Sequence, residues 1–448
     1  MKIAFVVHQY PPQYSTGTEV YAHRLAMRLR GQDHDVRVFA HDPDPSGHVS
    51  LKVIEDPVDE VPVTRMTFFE GLAPNHVLND YYSVFSGKIF GDWLDTFQPQ
   101  IVHVFHLMGL GLSLIEECRR REIPVFVQMM DYWFLCPTVQ LLRHDGSLCD
   151  GPETEACLEC LAPNDYGYQT LSIFSKEKSF VEAPEPAAGL QSTNLAGKLA
   201  EREALRARPK FIRSMLDGVT GLVAPSVFLR DFFLKHGYRK EQMRHLPYGV
   251  DLPEGRLRSL PVNGEGTVTF GFFGSVNPQK GLEILISAFR DSRCDRFQLV
   301  VRGNMSHFPK YAKRIRAFAE VDPRIQFLGP FAHEGLAEAL SSIDVLVVPS
   351  VWYENTPFVV LEAFAAGRPV ICSDLGGLSE LVEDKVNGRL FRPGDPGDLM
   401  NILKDFEEDE EMLERLASGI RPVRTLEDNM QEFLELWESS LAPTGGSS

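Results

Sequence analysis

The residues best placed to do chemistry lie in one stretch, Asp344-Val345-Leu346-Val347-Val348-Pro349-Ser350 followed by Val351-Trp352-Tyr353-Glu354-Asn355-Thr356-Pro357-Phe358-Val359-Val360-Leu361-Glu362. An apolar strand ends at Pro349-Ser350, a loop carries Glu354, and a helix is predicted to start near Pro357. Proline suits a first helical turn because its missing N–H has no partner there in any case. Asn355 or Thr356 is the expected N-cap, and Gly367 the expected C′ residue. A helix N-terminus at the carboxyl end of a parallel strand attracts anions through free N–H groups and the helix dipole. Glu354 and Glu362 can accept hydroxyl hydrogen bonds on either side of a bound diphosphate. A sugar nucleotide presents such hydroxyls on its sugar and its ribose.

A second group is Cys136, Cys149, Cys157 and Cys160, spaced Cys-x12-Cys-x7-Cys-x2-Cys. Four thiolates in an irregular segment suit structural zinc, and an iron–sulfur cluster or free thiols are the alternatives. Cys118, Cys294 and Cys372 fall in helix or strand contexts and read as core.

Two successive series of alternating strands and helices position these residues. The first includes Ile3–Val7, a helix over Glu19–Arg30, Asp35–Phe39, Ile101–Phe105, Pro124–Val127 and Gly221–Ser226. The second includes Thr267–Phe273, Leu282–Phe289, Phe297–Val301, Leu336–Ser341, Val345–Val348, Phe358–Ala366 and Pro369–Cys372. Such alternation implies two doubly wound α/β domains, which bind ligands beyond the carboxyl ends of their strands. With two domains facing each other, the cleft between them is the expected site. We place the domains at 1–252, with an insertion at about 136–215, and at 265–424. A helix at 425–443 is expected to pack back on the first domain. Leu252–Gly266 reads as the linker, and Gly445-Gly446-Ser447-Ser448 as an unstructured tail. Asp42-Pro43-Asp44 reads as a turn rather than a metal-binding string.

The chain has 448 residues and a net charge of −17, from 45 Lys and Arg against 62 Asp and Glu. That balance argues against broad contact with nucleic acid. Met1 runs straight into a strand, and no apolar run reaches the roughly 18 residues of a spanning helix. The expectation is a cytoplasmic protein, with peripheral membrane association still open.

The stretch holding Glu354 and Glu362 resembles the Glu-x7-Glu motif of glycosyltransferase family four, the large group of retaining enzymes with the GT-B fold. Further pieces of that pattern are Gly274-Ser275-Val276-Asn277-Pro278-Gln279-Lys280-Gly281, Leu361 to Val370, Asp374-Leu375-Gly376-Gly377 and Asn387-Gly388. Tyr10-Pro11-Pro12, Gly17-Thr18-Glu19, Ala224-Pro225-Ser226 and Leu246 to Asp251 complete it, so the resemblance runs from residue 1 to about 400. It implies the GT-B fold, a donor such as a UDP- or GDP-sugar, and a glycan or lipid-linked acceptor, in cell-surface polysaccharide synthesis. By the resemblance Glu354 meets the transferred sugar, Glu362 the ribose, and Lys280 the diphosphate. Gly17, Gly274, Ser275, Asn355, Thr356, Pro357, Phe358, Gly376 and Gly377 line the donor, the two late glycines letting amides approach it. Asp131 joins Glu354 and Lys280 as a catalytic residue. No cofactor is implied for catalysis.

Two positions depart from the family pattern. Ser275 stands where an arginine is usual, which makes Arg302 and Arg368 candidate replacements. Met130 stands where a histidine is usual, which makes Asp131, His103 and His106 candidates for its role. The alternative to a transferase is therefore a catalytically weakened sugar-nucleotide-binding or scaffold protein.

Overall fold

The computed structural model describes residues 1–14, 16–43, 51–68, 76–161, 195–252, 266–331 and 335–441. Most of the expected linker, Asp44, the Pro- and Glu-rich run near 182–186 and the C-terminal tail lie outside the described residues. The described residues form two compact units, one up to Pro247 together with Leu426–Leu441, the other within Tyr248–Thr425.

The first unit is built on an eight-stranded sheet. Its strands are β1 (Lys2–Val7), β2 (Asp35–Pro43), β3 (Lys52–Glu55), β4 (Val63–Phe68), β5 (Ile101–Val104), β6 (Val125–Gln128), β7 (Gly221–Ala224) and β8 (Met243–His245), in the order β3-β4-β2-β1-β5-β6-β7-β8. All pairings are parallel except β3 with β4. Ile3 to Val7 are fully buried on both faces, as a central parallel strand requires. The strand expected to end at Phe39 continues to Pro43, so Asp42 lies on β2 and not in a turn. Its carboxylate is 3.1 Å from the buried Arg65 guanidinium, which also holds Asp56 at 2.7 Å. The helix Leu426–Leu441 closes this unit. Trp437 and Phe433 pack on Phe5 and His103, and Asn429 donates to the Pro247 carbonyl at 3.0 Å.

The second unit has six strands, β9 (Val268–Phe273), β10 (Phe297–Arg302), β11 (Ile325–Phe327), β12 (Val345–Val348), β13 (Val370–Ser373) and β14 (Gly388–Phe391). Their order is β11-β10-β9-β12-β13-β14, parallel throughout. Successive strand residues face opposite ways. Phe270, Phe272, Val345 and Val347 join one apolar cluster with the helices Leu282–Ser292 and Pro396–Glu408. Phe273, Leu346 and Val348 join another with Leu336–Ser341 and Phe358–Ala365. This double burial makes the strands continuously apolar and sends their polar residues to the carboxyl ends.

Candidate functional site

In the second unit, the chain leaves β9 at Gly274 and makes a 3₁₀ turn at Pro278–Lys280, capped by the Asn277 side chain accepting from the Lys280 N–H. Gly281 follows with φ 66°, and a Cβ there would stand 2.0 Å from the Pro349 carbonyl oxygen. Glycine is thus obligatory where this loop presses on the end of β12. The Val351 N–H donates to the Gln279 carbonyl at 2.9 Å and locks the two loops together.

That contact brings Lys280 to Glu354. The ammonium lies 2.6 Å from Glu354 Oε1, and the same oxygen accepts from Ser350 Oγ at 2.7 Å and Trp352 Nε1 at 2.8 Å. Lys280 also sits 5.4 Å from the centroid of the Trp352 ring. Glu354 is only 5 % exposed, so its charge needs these partners. Lys280 and Glu354 were expected to serve different ends of the donor; here they neutralise each other.

The helix beyond runs Phe358–Ala365, and its N-cap is Pro357, not Asn355 or Thr356. With φ −69° and ψ 119° the proline has the extended backbone of a cap but no side-chain acceptor, so no side chain caps the helix. Gly367 takes φ 68° just beyond the helix end, as expected of C′. Glu362 is half-buried in the second turn. The paired glycines pack closely against the Glu354 loop. The Gly377 N–H donates to the Glu354 carbonyl at 2.8 Å, and a Cβ on Gly377 would meet the Asn355 oxygen at 1.5 Å. These glycines therefore shape the Glu354 loop from behind, and the Gly377 amide is already engaged. Gly274 is exposed with φ 147°, and Ser275 is half-buried beside it.

Four buried polar atoms at this edge have no partner within the described residues: Gln279 Oε1, Arg302 Nε, Thr356 Oγ1 and Ser373 Oγ. They follow β9, end β10, follow β12 and end β13. Buried polar groups are nearly always satisfied, so such a set marks a place for a polar ligand. Arg302 retains its candidacy there. Arg368 does not, because it is buried and donates to the Leu340 carbonyl at 3.2 Å.

In the first unit, four ionisable groups meet at the carboxyl ends of β1, β5 and β6. Glu19 Oε1 lies 3.3 Å from His8 Nε2, and the Thr16 hydroxyl donates to the other carboxylate oxygen. The His8 ring meets His106 at a tilt of 47° with centroids 4.3 Å apart. His106 Nε2 lies 2.9 Å from Asp131 Oδ2, while its Nδ1 accepts from the Met108 N–H. Nε2 of His106 is therefore the protonated nitrogen. Asp131 Oδ1 accepts from the Trp133 N–H, and 23 % of its side chain is exposed. Burial alone would lower the His106 pKa, but Asp131, Glu19 and Asp80 outweigh it and raise it. Burial, His106 and His41 hold His8 well below the usual histidine range. Burial also raises the Glu19 carboxyl. Gly17 is exposed and opens the helix Gly17–Gly31 beside this group.

His103 does not belong to it. It is fully buried among Phe5, Phe105, Phe433 and Trp437, where burial takes its pKa down to about 3. Met130 is buried next to Asp131. The sequence reading missed His8, Ser350 and Trp352, and gave no role to Glu19. A histidine directly after each of two buried strands, at His8 and His106, was the available signal.

The cysteines lie elsewhere. Cys118, Cys294 and Cys372 are buried, as expected. Burial pushes the Cys157 and Cys160 thiols up to about 11, which leaves little thiolate for nucleophilic chemistry.

Residues 267–409 match the family described as glycosyl transferases group 1, and residues 16–156 match the glycosyl transferase 4-like domain. The D-inositol 3-phosphate glycosyltransferase of Stackebrandtia nassauensis is 33 % identical over 181 residues, 38 % of this chain and 40 % of that protein. An uncharacterised glycosyltransferase of Methanocaldococcus jannaschii is 34 % identical over 158 residues, 35 % of this chain and 43 % of that protein. The chain thus spans well under half the length of these curated relatives. Among solved structures, sucrose-phosphate synthase from Thermosynechococcus elongatus superposes with a TM-score of 0.66 at 16 % identity, covering 99 % of this chain and 100 % of that one. Anabaena HepE in complex with UDP and glucose gives 0.65 at 16 % identity, covering 98 % and 100 %. At that identity the likeness establishes the fold, which is GT-B. No helix among the described residues is long and apolar enough to cross a membrane.

Proposed function

The chain belongs to family four of the glycosyltransferases, and from that premise we propose that it moves a sugar, with retention, from a UDP- or GDP-sugar to a glycan or lipid-linked acceptor. The setting we propose is cytoplasmic, in cell-surface polysaccharide synthesis. One observation carries this reading. Lys280 and Glu354 pair at 2.6 Å beside an uncapped helix N-terminus, with unpartnered buried polar atoms on the neighbouring strand ends.

A diphosphate seated at the start of Phe358–Ala365 gains from the helix dipole and draws the Lys280 ammonium to its oxygens. Glu354, relieved of one donor, then accepts a hydroxyl of the transferred sugar, and Glu362 the ribose hydroxyls. The C1–oxygen bond to the diphosphate breaks, the acceptor oxygen bonds to C1 on the same face, and the acceptor proton passes to the departing phosphate. Lys280 and the helix stabilise the charge that develops on the leaving group. No cofactor is assigned a step. Asp131, oriented by His106, receives an acceptor hydroxyl. The UDP and glucose held by HepE and the nucleotide-sugar logic of the site both support this reading.

Met130 and Ser275 favour a second reading, binding without turnover. Donor hydrolysis and transfer assays with UDP- and GDP-sugars separate the two. Turnover that disappears in Lys280→Ala supports the transferase, whereas donor binding with no turnover across glycan and lipid-linked acceptors supports the binder. A thermal-shift screen of nucleoside diphosphates identifies the base, because a ligand of the native state raises the midpoint by mass action.

A further inference from the structure

In the segment from Cys136 to Leu161, apolar burial is concentrated at Leu141 and Leu142. Its helix, Thr154–Leu161, buries none of its residues. The turns before it are tight. Leu142 and Leu148 form an antiparallel bridge, and the Cys149 N–H donates to the Leu141 carbonyl at 2.8 Å. Val139 and Leu141 take φ of 72° and 50°, a region that is costly for branched side chains. Leu141 and Leu142 are the buried apolar anchors of these turns.

The four cysteines converge here. Cys136 and Cys149 flank the turns, while Cys157 and Cys160 share one helix face at i and i+3. Cys160 Sγ lies 3.9 Å from the Leu142 carbonyl oxygen, next to the Leu141 carbonyl that the Cys149 N–H meets, so the helix pair and Cys149 reach the same turn. All four are free, and Cys149, Cys157 and Cys160 are only half-buried, which leaves a route in from solvent. Their sulfurs point among the turns, Cys136 Sγ 3.2 Å from Thr138 Oγ1 and Cys149 Sγ 3.2 Å from the Gly151 oxygen. Among the described residues no three ligand-type side chains are yet gathered tightly enough to hold an ion.

We propose that Cys136, Cys149, Cys157 and Cys160 close around one structural zinc ion as four thiolates. Each Sγ–H gives its proton to solvent and each sulfur donates a pair to the metal, with Zn–S distances of about 2.3 Å. The Thr138 hydroxyl remains beside Cys136 as an outer donor. Zinc adds to the Leu141 and Leu142 anchor and stiffens a segment that begins five positions after Asp131. His236 Nε2, 2.8 Å from the Asp150 oxygen, and the Arg202–Glu155 pair seat it on the rest of the first unit. This inference stands apart from the transferase reading.

Elemental analysis of the full chain, purified without immobilised metal, is expected to give about one zinc per chain. Cys157→Ser with Cys160→Ser loses it, and Cys118→Ala keeps it. In the unmutated protein, chelation is expected to make the half-buried thiols reactive to Ellman's reagent and to lower the thermal midpoint, and added zinc to reverse both. Chelated protein that takes up no zinc at micromolar concentration would overturn the proposal. So would iron and sulfide with absorbance near 400 nm, or a disulfide among the four.

Discussion

At the carboxyl end of the second unit's sheet, one carboxylate oxygen collects three donors; at the carboxyl end of the first unit's sheet, two carboxylates bracket two imidazoles in tilted contact. The first arrangement is a Lys280–Glu354 pair tied down by Ser350 and Trp352 on the same carboxylate oxygen. The second couples His106, whose pKa is raised by its acidic neighbours, to His8, whose pKa burial and His106 depress. Parallel sheets gather polar residues at the same edge in both units, yet one edge pairs opposite charges directly and the other couples two histidines shifted in opposite directions. A pH dependence of turnover that follows His106 should therefore trace to the first unit.

The largest effect should come from the Lys280–Glu354 pair. Lys280→Ala and Glu354→Gln are each expected to lower kcat by roughly 10²–10³, the scale for removing one group that stabilises developing charge. Steady-state kinetics at saturating donor checks this, and a loss below tenfold would refute the role. Next is Gly377→Ala. With 1.5 Å between the added Cβ and the Asn355 oxygen, the Glu354 loop must shift. We expect about 2–4 kcal/mol of destabilisation, within the range for forced overpacking and strain. Denaturant unfolding of the second unit's transition reads it.

Asp131→Asn sharpens the comparison. The His106 pKa is raised in the folded chain. Its contribution is then fully present below the unfolded value of about 6.5, and is lost as pH rises through the raised folded value. Asp131 is partly exposed, so the stability gap between the two proteins should be about 1 kcal/mol at pH 6, shrinking toward pH 8. His8, facing His106, Glu19 and His41, has a depressed pKa and acts in the opposite sense, losing stability as pH falls through about 6.5. Thermal midpoints from pH 5.5 to 8.5 decide it; a gap that is constant or grows with pH would contradict the assignment. The smallest effect belongs to His103→Phe. A neutral ring in an aromatic cage should be replaceable with less than about twofold change in kcat, being an apolar swap of similar volume.

The two edges also differ in how much of them the sequence disclosed. The Glu354 loop, its helix and the terminating Gly367 occupy one continuous stretch, so strand, loop and helix signals sit next to one another and can be read together. The cluster of His8, Glu19, His106 and Asp131 is assembled from three strand ends and a helix, with no fixed spacing to read. Local geometry misled in two places. Pro357 displaced Thr356 as the cap because its fixed φ already suits that position, and Asp42 stayed in a strand because buried Arg65 neutralises it. Short or polar strands such as β3, exposed at every residue, carry no periodic signal.

The shared oxygen of Glu354 has one more consequence. Because Lys280 cannot serve carboxylate and phosphate equally well at once, recognition of the two halves of a donor is non-additive. A nucleoside diphosphate that captures the ammonium leaves Glu354 short of a donor, and a free sugar hydroxyl can fill that place. Diphosphate and monosaccharide should then bind with positive cooperativity, each tightening the other by the same factor, and calorimetric titration of one in the presence of the other would measure it.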